Sequence, residues 1–207
     1  MITIALPKGY LLQPSMEILQ KAGAWVPPKG FDRQLSVEAP DHSFKYLLIR
    51  PSDVPVYVEH GAADLGVVGK DVLAEGAEKV VELLDLKMGH CRLVVAAPKV
   101  AKLTAANLHD NLRVGSKFTH CAQKYFNDRG LKVEIIKLYG SVELAPLTGL
   151  SDVIVDLVAT GKTLAENGLV VVDTVLKSSA RLVANSVRYR LHYDVLHRFV
   201  SNVQKYL

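Results

Sequence analysis

Short apolar runs rich in β-branched residues alternate with helix-like patterns along almost the whole chain, and this alternation limits the fold more than any other feature. A strand, then an amphipathic helix, then another strand can bury both faces of a largely parallel sheet; bundles and sandwiches need long runs of one kind. The spacing predicts strands at residues 2–6, 46–49, 65–68, 80–86, 93–97, 113–115, 134–138, 153–156 and 169–173. It predicts helices at 12–22, 53–60, 71–75, 119–129 and 163–167, followed by Gly23, Gly61, Gly76, Gly130 and Gly168. Glycine just past the last helical residue accepts a positive φ without a Cβ clash, so these five positions read as helix stops. The expected class is α/β.

With 207 residues, 49% of them hydrophobic and 22% charged, the chain can bury a core, which excludes disordered and low-complexity readings. No linker rich in Gly, Ser or Pro divides it, and no internal repeat is seen. Two apolar stretches, 80–97 (interrupted at 87–90) and 169–186, are long against the usual strand of about 5–6 residues. A pair of crossovers between two lobes accounts for both. Lobe I then comprises 1–90 plus 181–207 and lobe II 91–180, with a central cleft. From Val187 onward, Leu191, Val195, Phe199 and Val203 recur every fourth residue beside Leu196, Val200 and Leu207, which predicts one long amphipathic helix.

The formal charge of +4 is unevenly placed. Lys177, Arg181, Arg188, Arg190, Arg198 and Lys205 face only Asp194 in the last 31 residues, a net of +5. Such a tail suits an acidic partner or a solvated helix face. No basic stripe with interleaved aromatics or recognisable nucleic-acid motif accompanies it, so no nucleic-acid partner is expected. Cys91 and Cys121 are too few for a disulfide framework or a zinc site and read as packed thiols. His109 and His120 show no metal-ligand spacing. The first apolar run ends at Pro7, too short for a signal or membrane segment, so a cytoplasmic setting without a membrane partner is expected.

The most informative stretch is 152–164. A buried strand ends near Asp156, small residues including Ala159 follow, and Thr160-Gly-Lys-Thr163 opens a helix. Unpaired N–H groups at a helix start, two hydroxyls and a lysine can hold a phosphate, while Asp156 can accept hydrogen bonds from a sugar diol. A phosphorylated pentose satisfies both. Gly161-Lys162-Thr163 also matches the end of a P-loop, but the first glycine of that pattern falls on Asp156, whose charge opposes a wrapped triphosphate. An ordinary helix start capped by Thr160 is the remaining alternative.

The segment from Asp156 to Thr163 resembles the 5-phosphoribosyl-1-pyrophosphate (PRPP) loop of phosphoribosyltransferases, with Leu157 in place of a second acidic residue. Ala5-Leu-Pro-Lys-Gly9, Arg50-Pro-Ser-Asp-Val-Pro55, Ala63-Asp-Leu-Gly-Val-Val-Gly-Lys-Asp71, Gly89-His-Cys-Arg-Leu93, Gly140-Ser-Val-Glu-Leu-Ala-Pro146 and 151–164 together are similar to ATP phosphoribosyltransferase, the first enzyme of histidine biosynthesis. The matches run in order over nearly the whole chain. The resemblance implies a two-lobed, periplasmic-binding-protein-like (type II) architecture. It also implies a reaction joining N1 of ATP to C1 of PRPP with release of pyrophosphate, and Mg2+ bound with PRPP, for which the sequence assigns no protein ligand.

The site residues follow from the same resemblance. Arg50, Arg33 and Lys8 are the expected catalytic cations, with Arg33 in the loop-like segment from Gly30 to Gln34. Asp156, Ala159, Thr160, Gly161, Lys162, Thr163 and Glu143 are expected to bind PRPP, and Asp71, Gly69 and His90 to bind ATP. Each has a plainer reading: Lys8 as a surface lysine, Arg50 as a clamp on Asp53, Glu143 as support for a helix start, Asp71 as an N-cap, Asp64 as a turn residue, His90 as a hinge position. The chain also resembles the short form of the family, without a C-terminal regulatory domain. That form implies a homodimer assembling with a histidyl-tRNA-synthetase-like regulatory subunit into a hetero-oligomer, the basic tail facing a subunit. The rival function is a two-lobed effector-binding domain without catalysis.

Overall fold

A computed structural model of the chain describes residues 1–28, 31 and 33–207. In chain order its elements are β1 (Ile2–Pro7), α1 (Leu12–Lys21), β2 (Ser36–Glu38), β3 (Phe44–Ile49), α2 (Val54–Glu59), β4 (Leu65–Gly69), α3 (Lys70–Glu75), β5 (Val81–Asp85), β6 (Cys91–Pro98), β7 (Arg113–Ser116), α4 (Thr119–Asn127), β8 (Glu134–Lys137), α5 (Leu144–Leu147), β9 (Val153–Val158), α6 (Lys162–Glu166), β10 (Leu169–Ser178), β11 (Ala180–Ala184), α7 (Ser186–Leu191) and α8 (Tyr193–Gln204). They fall into two compact units. Unit 1 holds residues 1–73, 77–89 and 179–207, and unit 2 holds 74–76 and 90–178.

Unit 1 is built on a six-stranded sheet ordered β2-β3-β1-β4-β11-β5. β1 pairs in parallel with both β3 and β4, while β11 lies antiparallel between β4 and β5. The continuous apolar run of β1 follows from burial on both faces. Ile2, Ile4 and Leu6 enter a core covered by Met16 and Leu19 of α1 and by Leu196, Phe199, Val200 and Val203 of α8. Ala5 points the other way, into a second core with Val54 and Val58 of α2. Each such fully buried Leu or Phe contributes about 1.5–3 kcal/mol.

Unit 2 repeats this logic on a five-stranded sheet ordered β10-β6-β9-β7-β8. β7 pairs in parallel with β8 and β9, and β6 runs antiparallel between β9 and β10. Leu93, Val95 and Ala97 of β6 pack on one face with Cys121, Ala122, Tyr125 and Phe126 around α4. Val94 and Ala96 pack on the other face with Ala145 of α5 and Leu164 of α6.

The differences from the sequence expectations have physical causes. Gly23, Gly61, Gly130 and Gly168 stop their helices at positive φ, whereas Gly76 is not in that region. The run 169–186 is two strands, β10 in unit 2 and β11 in unit 1. The short polar β2 and the single-turn α5 carry no periodic signal and went unpredicted.

The long C-terminal helix is two helices. His192, at φ −117° and ψ 34°, separates α7 from α8. Asn185 starts α7 by accepting from the N–H groups of Val187 and Arg188 while donating to the carbonyls of Val58 and Glu59. Val187, Leu191 and Val195 are exposed, so of the every-fourth-residue stripe only Phe199 and Val203 lie on the buried face. Four-residue steps advance about 40° beyond a full turn each time, so such a stripe spirals off a core-facing surface. Leu196, Phe199, Val200 and Val203, spaced i, i+3, i+4 and i+7, stay on it.

Candidate active site

In each unit the chemistry gathers at one end of the sheet, where parallel strands finish. In unit 1 the strand register sets the order. Pro7 pairs with Ile49, and the N–H of Lys8 donates to the Ile49 carbonyl at 2.8 Å, so Lys8 and Arg50 follow directly on neighbouring strand ends about 4.8 Å apart. Pro51 restricts Arg50 to extended backbone, seen at φ −63° and ψ 140°. On the far side of β3, the N–H of Leu48 donates to the Leu35 carbonyl at 2.8 Å. Arg33 precedes Leu35 by two residues as Arg50 follows Leu48 by two, so Arg33 joins the same end of the sheet.

The three cations thus stand in the order Arg33, Arg50, Lys8, all exposed. None forms an ion pair with a described residue. The clamp of Arg50 on Asp53 is absent; Asp53 instead accepts from the Ser52 hydroxyl at 3.1 Å. Gly30 and Asp32 of the Arg33 loop lie outside the described residues.

Next in the row comes the end of β4. Asp71 is 6% exposed, in the first turn of α3. A Cβ on Gly69 would sit 2.3 Å from Asp71 Oδ1, so the carboxylate occupies the space a side chain at 69 would need. Asp64 is structural rather than a turn residue. Its Oδ2 accepts from the Thr3 N–H at 2.8 Å, and its Oδ1 lies 3.7 Å from Arg188 Nη1. β5 ends and β11 begins at this same end, where Arg181 bridges Glu82 and Asp85 and the Ser179 hydroxyl donates to Asp85.

In unit 2 the corresponding end carries acceptors and small residues. β9 finishes at Val158, and Ala159-Thr160-Gly161 turns the chain into α6 through a left-handed Gly161 at φ 83°. The Lys162 N–H donates weakly to Thr160 Oγ1 at 3.4 Å, so Thr160 is not a strong cap. Thr160 and Thr163 are exposed, and Lys162 lies 3.8 Å from Glu166. Asp156 is half-buried within β9 and accepts from the Leu157 N–H at 2.8 Å. Burial raises its pKa above the ordinary carboxylate value, and the charge of Glu143 pushes the same way.

Glu143 sits at the N-cap position of α5, after a left-handed Ser141 at φ 48°, and its side chain makes no capping hydrogen bond there. His90 precedes β6, beside the end of β9, since Arg92 pairs with Val158. Sequence reasoning missed Lys117. The apolar pattern predicts a strand ending at Gly115, whereas β7 continues to Ser116 and sets Lys117 at the same sheet end.

A six-stranded and a five-stranded mixed sheet, with both linking segments entering at the ends of the parallel strands, define a type II periplasmic-binding-protein-like fold. The aliphatic sulphonate binding protein SsuA of Escherichia coli is similar in fold, at a TM-score of 0.60 and 15% identity over 98% of this chain and 72% of that one. Closer comparisons are more specific. The family model for ATP phosphoribosyltransferase (HisG) matches residues 50–205. An ATP phosphoribosyltransferase of Gloeothece citriformis is 50% identical over 99% of this chain and 97% of its own. The ATP phosphoribosyl transferase (HisG:HisZ) complex from Thermotoga maritima contains a chain with a TM-score of 0.84 and 35% identity, covering 99% of this chain and 98% of that one. This chain belongs to the ATP phosphoribosyltransferase family, a family of pentosyltransferases whose reaction generally needs a divalent metal. No helix among the described residues is long and apolar enough to cross a membrane.

Proposed function

We propose that this chain catalyses the first step of histidine biosynthesis, transfer of the 5-phosphoribosyl group from PRPP to N1 of ATP. The adenine nitrogen forms a bond to C1 of the ribose with inversion, and the C1–O bond breaks with its electron pair passing to pyrophosphate. This displacement asks little of acids and bases. It asks for stabilisation of negative charge on the leaving group, and preorganised donors and cations are the strongest means of doing so. The observation that carries the reading is the row of Arg33, Arg50 and Lys8, three exposed cations without ion-pair partners among the described residues. In this reading they hold the departing pyrophosphate.

In unit 2, the backbone of 159–163 with the hydroxyls of Thr160 and Thr163 and the charge of Lys162 holds the 5-phosphate. Asp156 and Glu143 accept hydrogen bonds from the ribose hydroxyls. Asp71, Gly69 and His90 serve ATP. No group of three or more His, Cys, Asp or Glu side chains that could hold a metal occurs among the described residues. Asp156 and Glu143 nevertheless suit Mg2+, which takes one or two carboxylates and completes its shell with substrate phosphates and water. Mg2+ supplies charge neutralisation on the pyrophosphoryl group when PRPP brings it.

The chain works in the cytoplasm as a homodimer that assembles with a histidyl-tRNA-synthetase-like regulatory subunit. The Thermotoga maritima relative, solved as a HisG:HisZ complex, supports this assembly. Incubation with ATP, PRPP and Mg2+, with and without such a subunit, tests the activity. Phosphoribosyl-ATP and pyrophosphate are expected by mass spectrometry; their absence under both conditions overturns the reading.

A further inference from the structure

β7 runs parallel to β9 with Ser116 paired to Val155, so the next two residues, Lys117 and Asp156, stand side by side. Ser116 is fully buried; its hydroxyl donates to the Val155 carbonyl at 2.6 Å and accepts from the Phe118 N–H at 2.9 Å. These bonds fix the turn, burying Phe118 and leaving Lys117 exposed. Lys117 makes no ion pair or hydrogen bond with a described residue, yet its charge reaches Asp156, where it opposes the effects of burial and Glu143.

The charge balance at this end of the sheet gives Lys117 a task. Asp156 and Glu143 are two carboxylates where a phosphorylated sugar must approach, and by themselves they repel it. Of the other cations at this end, Lys162 belongs to the phosphate loop itself, Arg92 lies opposite Val158 on the β6 side of β9, and Lys137 is on β8 with its Nζ 5.5 Å from the centroid of the Tyr139 ring; Lys117 stands directly beside Asp156 on the β7 side. We propose that Lys117 is a substrate-binding residue whose ammonium contacts the 5-phosphate of PRPP beside Asp156, offsetting the two carboxylates. The proposal rests on the assignment of the 156–163 loop to PRPP.

Calorimetric titration of PRPP, and separately of inorganic pyrophosphate, into the full-length chain with Mg2+ tests it, using wild type, Lys117→Met and Lys117→Arg. Because Lys117 is exposed, both variants are expected to melt with the wild type. Loss of one charge-assisted contact should weaken PRPP binding about tenfold in Lys117→Met. Lys117→Arg should recover most of it, and pyrophosphate binding should not change. Equal PRPP affinity in wild type and Lys117→Met overturns the proposal. So does a parallel loss on both ligands, which would assign Lys117 to the leaving group. A wild type that binds pyrophosphate but not PRPP removes the loop assignment and the proposal with it.

Discussion

The two units offer the same structural position, the finishing ends of parallel strands, and furnish it with opposite chemistry. Unit 1 lines its end with Arg33, Arg50 and Lys8, cations without ion-pair partners among the described residues. Unit 2 lines its end with Asp156 and Glu143, hydroxyls and a left-handed glycine, with the charge of Lys117 opposing that of Glu143 at Asp156. In the proposed reading, the cations of unit 1 serve the leaving group and the loop of unit 2 serves the sugar phosphate.

Breaking the cationic side should have the largest effect. Arg50→Ala is expected to lower kcat by about 10²–10³-fold, the usual result of removing one transition-state donor, with an unchanged melting temperature because the side chain is exposed and forms no ion pair with a described residue. Steady-state kinetics beside a thermal melt checks both parts. Gly69→Ala acts on the same unit through sterics. Its Cβ must displace the Asp71 carboxylate from 2.3 Å, which should cost about 1–3 kcal/mol in denaturant unfolding and raise KM for ATP.

On the other side, Thr163→Val removes a hydroxyl from an exposed loop and should raise KM for PRPP several-fold while leaving that for ATP unchanged. Asp156→Asn sharpens the contrast through pH. The folded state raises the pKa of Asp156 above 3.8, so its ionised form is disfavoured by folding. The cost is absent well below 3.8, grows as pH rises through that value towards the folded pKa, and is fully present above it. Asp156→Asn should therefore melt above the wild type at pH 7, with the difference shrinking as pH falls, while PRPP binding weakens. A carboxylate kept at a cost to stability is expected where function requires it.

Much of this was legible in the sequence because strand ends and loops are local. Lys8, Arg50 and the 156–163 loop each follow an apolar run that ends abruptly, and parallel-strand ends are where α/β sheets collect ligands. Their grouping was not legible. Only the register, Pro7 with Ile49 and Ser116 with Val155, brings Lys8 to Arg50 and Lys117 to Asp156. The burial that raises Asp156 likewise comes from packing. The C-terminal segment reads as one helix from hydropathy alone because the four-residue repeat runs across the break at His192, and Asn185 and His192 act through backbone geometry that hydropathy does not record.

The division of labour between the two sheet ends is tested most directly by titrating inorganic pyrophosphate, with Mg2+, into Arg50→Ala and Thr163→Val under identical conditions. Arg50→Ala is predicted to lose pyrophosphate binding and Thr163→Val to retain it at the wild-type affinity. Retention by both variants, or equal loss by both, would contradict the assignment of the leaving group to unit 1.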